Sequence, residues 1–272
     1  MKTFVKTIKT ALSDSAKVSG YVLDNSTEMA PNRQRKTIVL CPGGGYVMTS
    51  DREAEPVAMQ FLALDCNVFI LRYSVAPARY PVALLELAET MRLVRANAAD
   101  WHVDPDRIVV AGFSAGGHLA ADLAVQWDRD LATEYGFDPA AIKPNGLFLG
   151  YSVISSGPFA HQGSFEALLG DKYGDEALMT KVSLEKQVTA SAPASFIWCT
   201  ATDDTVPMEN SLLFTSALHQ AGVSVELHLF PQGGHGLSLG TAVTAIADNG
   251  YGIQPQVDQW PALFASWLAN NI

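Results

Sequence analysis

Val110-Ala111-Gly112-Phe113-Ser114-Ala115-Gly116-Gly117-His118-Leu119 reads as the end of an apolar strand, an abrupt turn of small residues, and the start of a helix. Ser114 sits at the apex, inside the pattern Gly-x-Ser-x-Gly. A strand that turns at once into a helix strains the backbone of the apical residue, and flanking side chains would collide with the strand just left. Gly112, Gly116 and Gly117 meet that constraint. The turn lifts Oγ of Ser114 clear of the sheet and leaves the Ala115 amide free to donate. Ser114 is the candidate nucleophile, and the rest of the chain has to supply its partners.

Outward from this turn, strand and helix alternate. Near-continuous apolar runs predict strands at 37–41, 67–73, 107–113, 146–150, 195–200 and 223–230. Helical spacing of apolar residues predicts helices at 53–64, 81–98, 114–127, 209–220 and 261–269. Residues 1–36 look like an extended lead-in with short alternating runs. Residues 152–190 form an irregular insertion, broken by Gly157-Pro158, Gly163, Gly170 and Gly174. The expectation is one α/β domain over 1–272, with a mostly parallel central sheet and helices on both faces. Function in such sheets collects in the loops at the carboxyl ends of the strands. Pro42 to Tyr46, Ser114, Asp203 and His235 all fall at such ends.

The 272 residues are 48% hydrophobic and 17% charged, which suits a large globular core. The net charge of −10 argues against nucleic acid or an anionic membrane as a partner. No apolar h-region follows the first lysines and no long apolar run occurs, so neither a signal peptide nor a membrane span is expected. Three cysteines, Cys41, Cys66 and Cys199, lie in or beside apolar runs and match no metal-site spacing. A reducing, cytoplasmic setting is expected from that usage, with no metal and no cofactor.

A serine hydroxyl needs an adjacent base, most often histidine, and that base needs a carboxylate on its other nitrogen. Of the six histidines, His118 lies on the helix with Ser114 and reads as a packing residue. His102 falls in a surface turn, His219 on a helix, and His228 within a strand. His161 lies in the irregular segment. Only His235 sits in a glycine-flanked loop just past a core strand, where a ring can swing over the rim. Asp203 and Asp204 both follow a core strand, and the pattern Asp-x-x-Val-Pro favours Asp203. The order Ser114, Asp203, His235 is that of the α/β-hydrolase arrangement, not of the chymotrypsin or subtilisin types. Gly43-Gly44-Gly45 would by itself make only a tight turn. Beside the serine turn, it offers unshielded backbone donors for an oxyanion.

Gly112 to Ala120, Pro42-Gly43-Gly44-Gly45-Tyr46, Asp203 to Pro207 and His235-Gly236 together resemble the α/β-hydrolase esterases. The similarity is greatest to small bacterial acetyl (xylan) esterase-like members, often grouped with hormone-sensitive-lipase and feruloyl-esterase-like proteins. It runs from about Thr37 to the C-terminus. The resemblance implies Ser114 as nucleophile, His235 as base, Asp203 as its orienting acid, and Gly44, Gly45 and Ala115 as oxyanion donors. Pro42 stands where the lipase-like pattern has histidine, which bears on loop rigidity rather than on the reaction. The short lead-in leaves little room for a cap, so a shallow, open site for short acyl groups is expected. Phe159, His161 and Phe165 are candidate pocket residues, although ordinary loop packing explains them equally well, and Tyr46 is a further candidate to face the substrate.

The activity expected is that of a serine carboxylesterase acting on short acyl, above all acetyl, esters of sugars or other small alcohols. Two rivals share the fold: a prolyl-oligopeptidase-like peptidase and a catalytically inactive binding module. The expected partner is a small-molecule ester, with acetylated oligosaccharide as one candidate. Oligomers are common in the family, which leaves a homo-oligomer open; no interface can be read in the sequence.

Overall fold

A computed structural model describes residues 1–272. Strands β1 (Lys2–Thr7), β2 (Lys17–Val22), β3 (Arg35–Cys41), β4 (Asn67–Arg72), β5 (Val103–Phe113), β6 (Gly146–Gly150), β7 (Ala194–Thr200) and β8 (Val225–Phe230) form one sheet. Their order is β1-β2-β4-β3-β5-β6-β7-β8. From β4 to β8 every neighbouring pair is parallel. The first two strands are an antiparallel hairpin laid on β4. The chain runs from β3 outward to β4, then returns past β3 to β5. The strand order therefore switches direction between β3 and β5, and a crevice opens at their carboxyl ends. Pro42 and Ser114 leave the sheet at this point.

Between the strands lie α1 (Glu55–Ala63), α2 (Val82–Ala96), α3 (Ser114–Gln126), the short α4 (Asp130–Thr133) and α5 (Pro139–Ile142), α6 (Gln162–Leu169), α7 (Glu176–Lys181), α8 (Glu209–Gln220) and α9 (Trp260–Asn271). Alternation along β5 divides the core in two. Ile108 and Val110 join one cluster with Leu87 and Met91 of α2, Leu119 and Leu123 of α3, and Phe214 of α8. Val109, Ala111 and Phe113 join the other, with Val57 and Phe61 of α1 and Trp260, Phe264 and Trp267 of α9. On that second face Phe264 meets Phe148 edge-on at 4.9 Å and Phe61 at 5.2 Å, a preferred aromatic geometry. No helix is long and apolar enough to cross a membrane.

Three segments differ from the sequence expectation. The lead-in supplies β1 and β2, with Phe4 opposite Gly20 so that the ring covers the bare glycine backbone. Strand β5 begins at Val103, ahead of the expected 107. Asp104-Pro105-Asp106 signals a turn, yet here it is absorbed in an irregularity of pairing: Arg35 pairs with Val103, and Thr37 with Ile108. The insertion at 152–190 holds two helices and is packed rather than loose. Phe165, Leu168, Leu169, Val182 and Leu184 are all buried in the larger core cluster. Tyr80 N–H donates to Leu168 O at 2.8 Å and pins α6 to the loop before α2.

Candidate active site

The turn between β5 and α3 has the strain that its glycines imply. Ser114 adopts φ +52°, left-handed for a residue with a side chain, which costs on the order of 1–3 kcal/mol. A Cβ on Gly112 would lie 2.2 Å from Gly116 O, and one on Gly116 would lie 2.2 Å from Cys41 O. Helix and strands touch through backbone alone here, so no larger residue fits without moving the helix.

Ser114 Oγ lies 2.8 Å from His235 Nε2, and His235 Nδ1 lies 2.8 Å from Asp203 Oδ2. The other carboxylate oxygen of Asp203 accepts from the amides of Thr205 (3.0 Å) and Val206 (2.9 Å), which aims Oδ2 at the imidazole. Asp203's side chain is fully buried and His235's is 19% exposed, so the relay meets solvent at the imidazole and not at the carboxylate. Asp204 points outward and takes only a long contact, 3.4 Å, from Thr205 Oγ1. The histidine loop is tied down on both sides. Thr200 and Thr202 hydroxyls donate to Gly233 O, and the Tyr251 hydroxyl donates to His235 O at 2.7 Å.

The glycines after β3 separate into two kinds. Gly43 N–H donates to Glu53 Oε2 at 2.6 Å and is committed. Gly44 and Gly45, at φ +132° and +63°, have amides with no acceptor inside the protein. The Ala115 amide belongs to the first turn of α3, whose N–H groups a helix leaves unpaired. Ala115 follows Ser114 directly, and Gly44 and Gly45 follow Gly43, where a Cβ would lie 2.8 Å from Ser114 Cβ; amides without an internal acceptor are chemically suited to an oxyanion.

Two of the expected pocket residues lie elsewhere. Tyr46 is 3% exposed, with its hydroxyl 2.8 Å from His118 Nδ1, so its side chain belongs to the core and not to a substrate face. Phe165 is 1% exposed and packs edge-on against His118 at 5.4 Å. Both are large aromatics beside site motifs, a position that sequence alone does not distinguish from a pocket wall. His118 donates from Nε2 to Val182 O at 2.9 Å, and burial pushes its pKa down to about 4, as befits a neutral core histidine. Phe159 remains exposed. His161 is half-buried, its Nδ1 2.8 Å from Ser164 Oγ; burial and then the charge of His235 lower its pKa. An apolar cavity of about 500 Å³ between α1 and α9 contains none of the triad.

Sequence reasoning passes over two buried residues beneath the site. Glu53 receives the Gly43 amide at Oε2 and the Tyr151 hydroxyl at Oε1, each at 2.6 Å. Tyr151 accepts from Ser238 N–H at 3.0 Å, and its ring meets that of His235 edge-on at 5.1 Å. Burial pushes the Glu53 carboxyl up, while the bonds from Tyr151 and Gly43 pull it down. The usable signal was an acidic residue, Glu53, in the short stretch between the glycine loop and the apolar face of α1.

Residues 38–239 match the family described as alpha/beta hydrolase fold. The chain is 37% identical over 212 residues to an endo-1,4-beta-xylanase B of Butyrivibrio fibrisolvens, covering 76% of this chain and 33% of that one. It spans 42% and 53% of two further curated relatives. Among solved structures, an acetyl ester-xyloside bifunctional hydrolase of Caldicellulosiruptor lactoaceticus is 36% identical, with a TM-score of 0.79 over 94% of this chain and 88% of that one. The carboxylesterase Cest-2923 of Lactobacillus plantarum WCFS1 is 31% identical, with a TM-score of 0.88 over 99% and 98%. With a Gly-x-Ser-x-Gly turn at the switch point of a sheet of this order, the chain belongs to the α/β-hydrolase fold family.

Proposed function

We propose that the chain is a serine carboxylesterase that removes short acyl groups, acetyl above all, from sugars or other small alcohols. The observation that carries this reading is the unbroken relay from Ser114 Oγ through His235 to Asp203, with both hydrogen bonds at 2.8 Å. Oγ attacks the ester carbonyl while His235 Nε2 takes its proton. The negative charge that develops on the carbonyl oxygen is met by the amides of Gly44, Gly45 and Ala115, the kind of contact whose loss costs about 100- to 1000-fold in turnover. His235 then returns the proton to the departing alcohol, which leaves an acyl-Ser114. Water, deprotonated by the same imidazole, attacks that ester and frees the acid. Asp203 holds the imidazole in the tautomer that accepts at Nε2, and stabilises the imidazolium.

The name of one solved relative, an acetyl ester-xyloside bifunctional hydrolase, supports a small acyl group on a sugar; an acetylated xylo-oligosaccharide is the substrate we favour. Phe159 and His161 border this site in our reading. Three thiols buried in separate places fit a reducing compartment, and we place the protein in the cytoplasm. Ser114→Ala is expected to fold normally and to lose hydrolysis of p-nitrophenyl acetate, together with fluorophosphonate labelling. Turnover retained in that variant would sink the mechanism. A rate panel over acetyl, butyryl and octanoyl esters tests the acyl length; preference for the longest would overturn the open-site argument.

A further inference from the structure

Beneath the glycine loop lies a carboxylate that the relay itself does not use. Glu53 ends a 3-10 turn, Asp51–Glu53, and is 4% exposed. Its charge follows from counting donors. The Gly43 N–H can only donate, so Oε2 accepts. The Tyr151 oxygen already accepts from Ser238 N–H, so its own proton points at Oε1. Both oxygens accept, neither has an acceptor in hydrogen-bond reach for a proton of its own, and both contacts are short, at 2.6 Å, as bonds to an ionised group are. The hydrogen bonds of Glu53 therefore favour the carboxylate, against burial, which pushes its pKa up.

Its position relative to the chemistry is close. A Cβ on Gly43 would lie 2.7 Å from Glu53 Oε2 and 2.8 Å from Ser114 Cβ, so only one glycine separates the carboxylate from the nucleophile. Through Tyr151 the same carboxylate reaches the histidine loop, by the hydrogen bond to Ser238 and the ring contact with His235. Positive charge on His235 and negative charge on Glu53 stabilise each other across this gap.

We propose that Glu53 is a positioning residue for the esterase reaction: it fixes the Gly43–Gly45 loop through the Gly43 amide, and with Asp203 it favours the imidazolium of His235 in the transition state. The proposal rests on the esterase reading above. His235 is faced by Asp203 from the loop after β7, Tyr151 from the end of β6, Arg52 and Glu53 from the 3-10 turn, His161 from the start of α6, and Tyr251 from the loop before α9. Asp204 stands beside Asp203 at the surface. Arg52, whose Nε donates to Thr244 O, opposes Glu53, and Tyr73 is the other titratable group near the carboxylate. Removing Glu53's charge changes one member of this set and leaves the rest.

The test compares wild type, Glu53→Gln, Glu53→Asp and Tyr151→Phe by two readouts. These are NMR titration of the 15N-labelled His235 imidazole and the pH profile of p-nitrophenyl acetate hydrolysis. In Glu53→Gln, His235 is expected to protonate about half to one pH unit lower, because a neighbouring anion favours the charged imidazole. The acid limb of kcat/KM should follow it downward. kcat should fall roughly tenfold or more with KM changed by less than about threefold, since loosened oxyanion donors act on the transition state. Glu53→Asp keeps the charge but not the reach, so its acid limb should stay in place while kcat falls. A folded Glu53→Gln with an unmoved imidazole titration overturns the proposal. If Glu53→Gln is not recovered folded, Glu53→Asp and Tyr151→Phe decide: both keep the charge, so an imidazole titration in place with kcat reduced supports the proposal, and kcat at the wild-type level in both refutes it. Because the NMR midpoint is read on the imidazole itself, a wild type that hydrolysed no ester would sink the esterase reading and leave this test standing.

Discussion

Asp203→Asn isolates a single proton. Oδ1 of Asp203 holds two backbone amides, those of Thr205 and Val206, while Oδ2 holds one imidazole N–H. An asparagine in this place has one orientation that suits its surroundings: the carbonyl on the two amides and the NH2 toward His235. The reverse would set an NH2 against two N–H donors and leave both amides unpaired, at about 1–3 kcal/mol for the buried one, that of Val206. In the favoured orientation His235 Nδ1 faces a donor, so it must accept, and the ring proton moves to Nε2. That nitrogen then donates to Ser114 Oγ at 2.8 Å and cannot take its proton. A wrong-tautomer histidine lowers turnover by about 10⁴-fold, equivalent to roughly 5 kcal/mol of transition-state stabilisation. Folding should change little, because the two amide bonds survive and a buried charge is removed. The assay is p-nitrophenyl acetate hydrolysis alongside a thermal melt and fluorophosphonate labelling. Activity within tenfold of wild type in a folded variant would refute the reasoning.

Two further outcomes concern packing and linkage. Gly116→Ala sets a Cβ 2.2 Å from Cys41 O and 2.3 Å from Pro42 O, both backbone atoms, so α3 must shift. A loss of about 1–3 kcal/mol in urea unfolding is expected, along with displaced oxyanion donors and a fall in kcat. Asp122 is buried, its Oδ1 has no hydrogen-bond partner, and burial pushes its pKa up to about 8. The folded state therefore holds a proton that the unfolded chain releases near 3.8, and stability falls as pH rises between these values. Asp122→Asn should abolish that fall, with a gain of roughly 2–4 kcal/mol at pH 7 that shrinks toward pH 4. Parallel unfolding curves at pH 4 and 7, equally spaced between variant and wild type, would contradict it.

The residues that could be read from the chain are those whose constraint is local. Gly112 and Gly116 announce a backbone-to-backbone contact, and the apolar runs at 146–150 and 195–200 announce strands buried on both faces. Asp203 stands out because Val206 and Pro207 shape the loop that follows it. Short elements escape such reading. Helix α6 contains Gly163 and stops at Gly170, α7 follows Gly174, and the segment is held by Phe165, Leu168 and, just past α7, Val182 packed in the core cluster. Strand β2 is held by pairing with β1 and β4, partners that its own sequence does not name.

Sequence by itself determined the α/β alternation, the serine turn and the chain order of serine, aspartate and histidine. Each rests on backbone sterics or side-chain period within a few residues. Tertiary structure alone decided what lies beside what across the switch point between β3 and β5. It set Tyr46 and Phe165 in the core, gave the Gly43 amide to Glu53 while leaving those of Gly44 and Gly45 free, and joined Glu53 to His235 through Tyr151. The sequence separation of 98 between Glu53 and Tyr151 explains why. A hydrogen bond at that separation is chosen by how the sheet brings its loops together, and no local pattern encodes it.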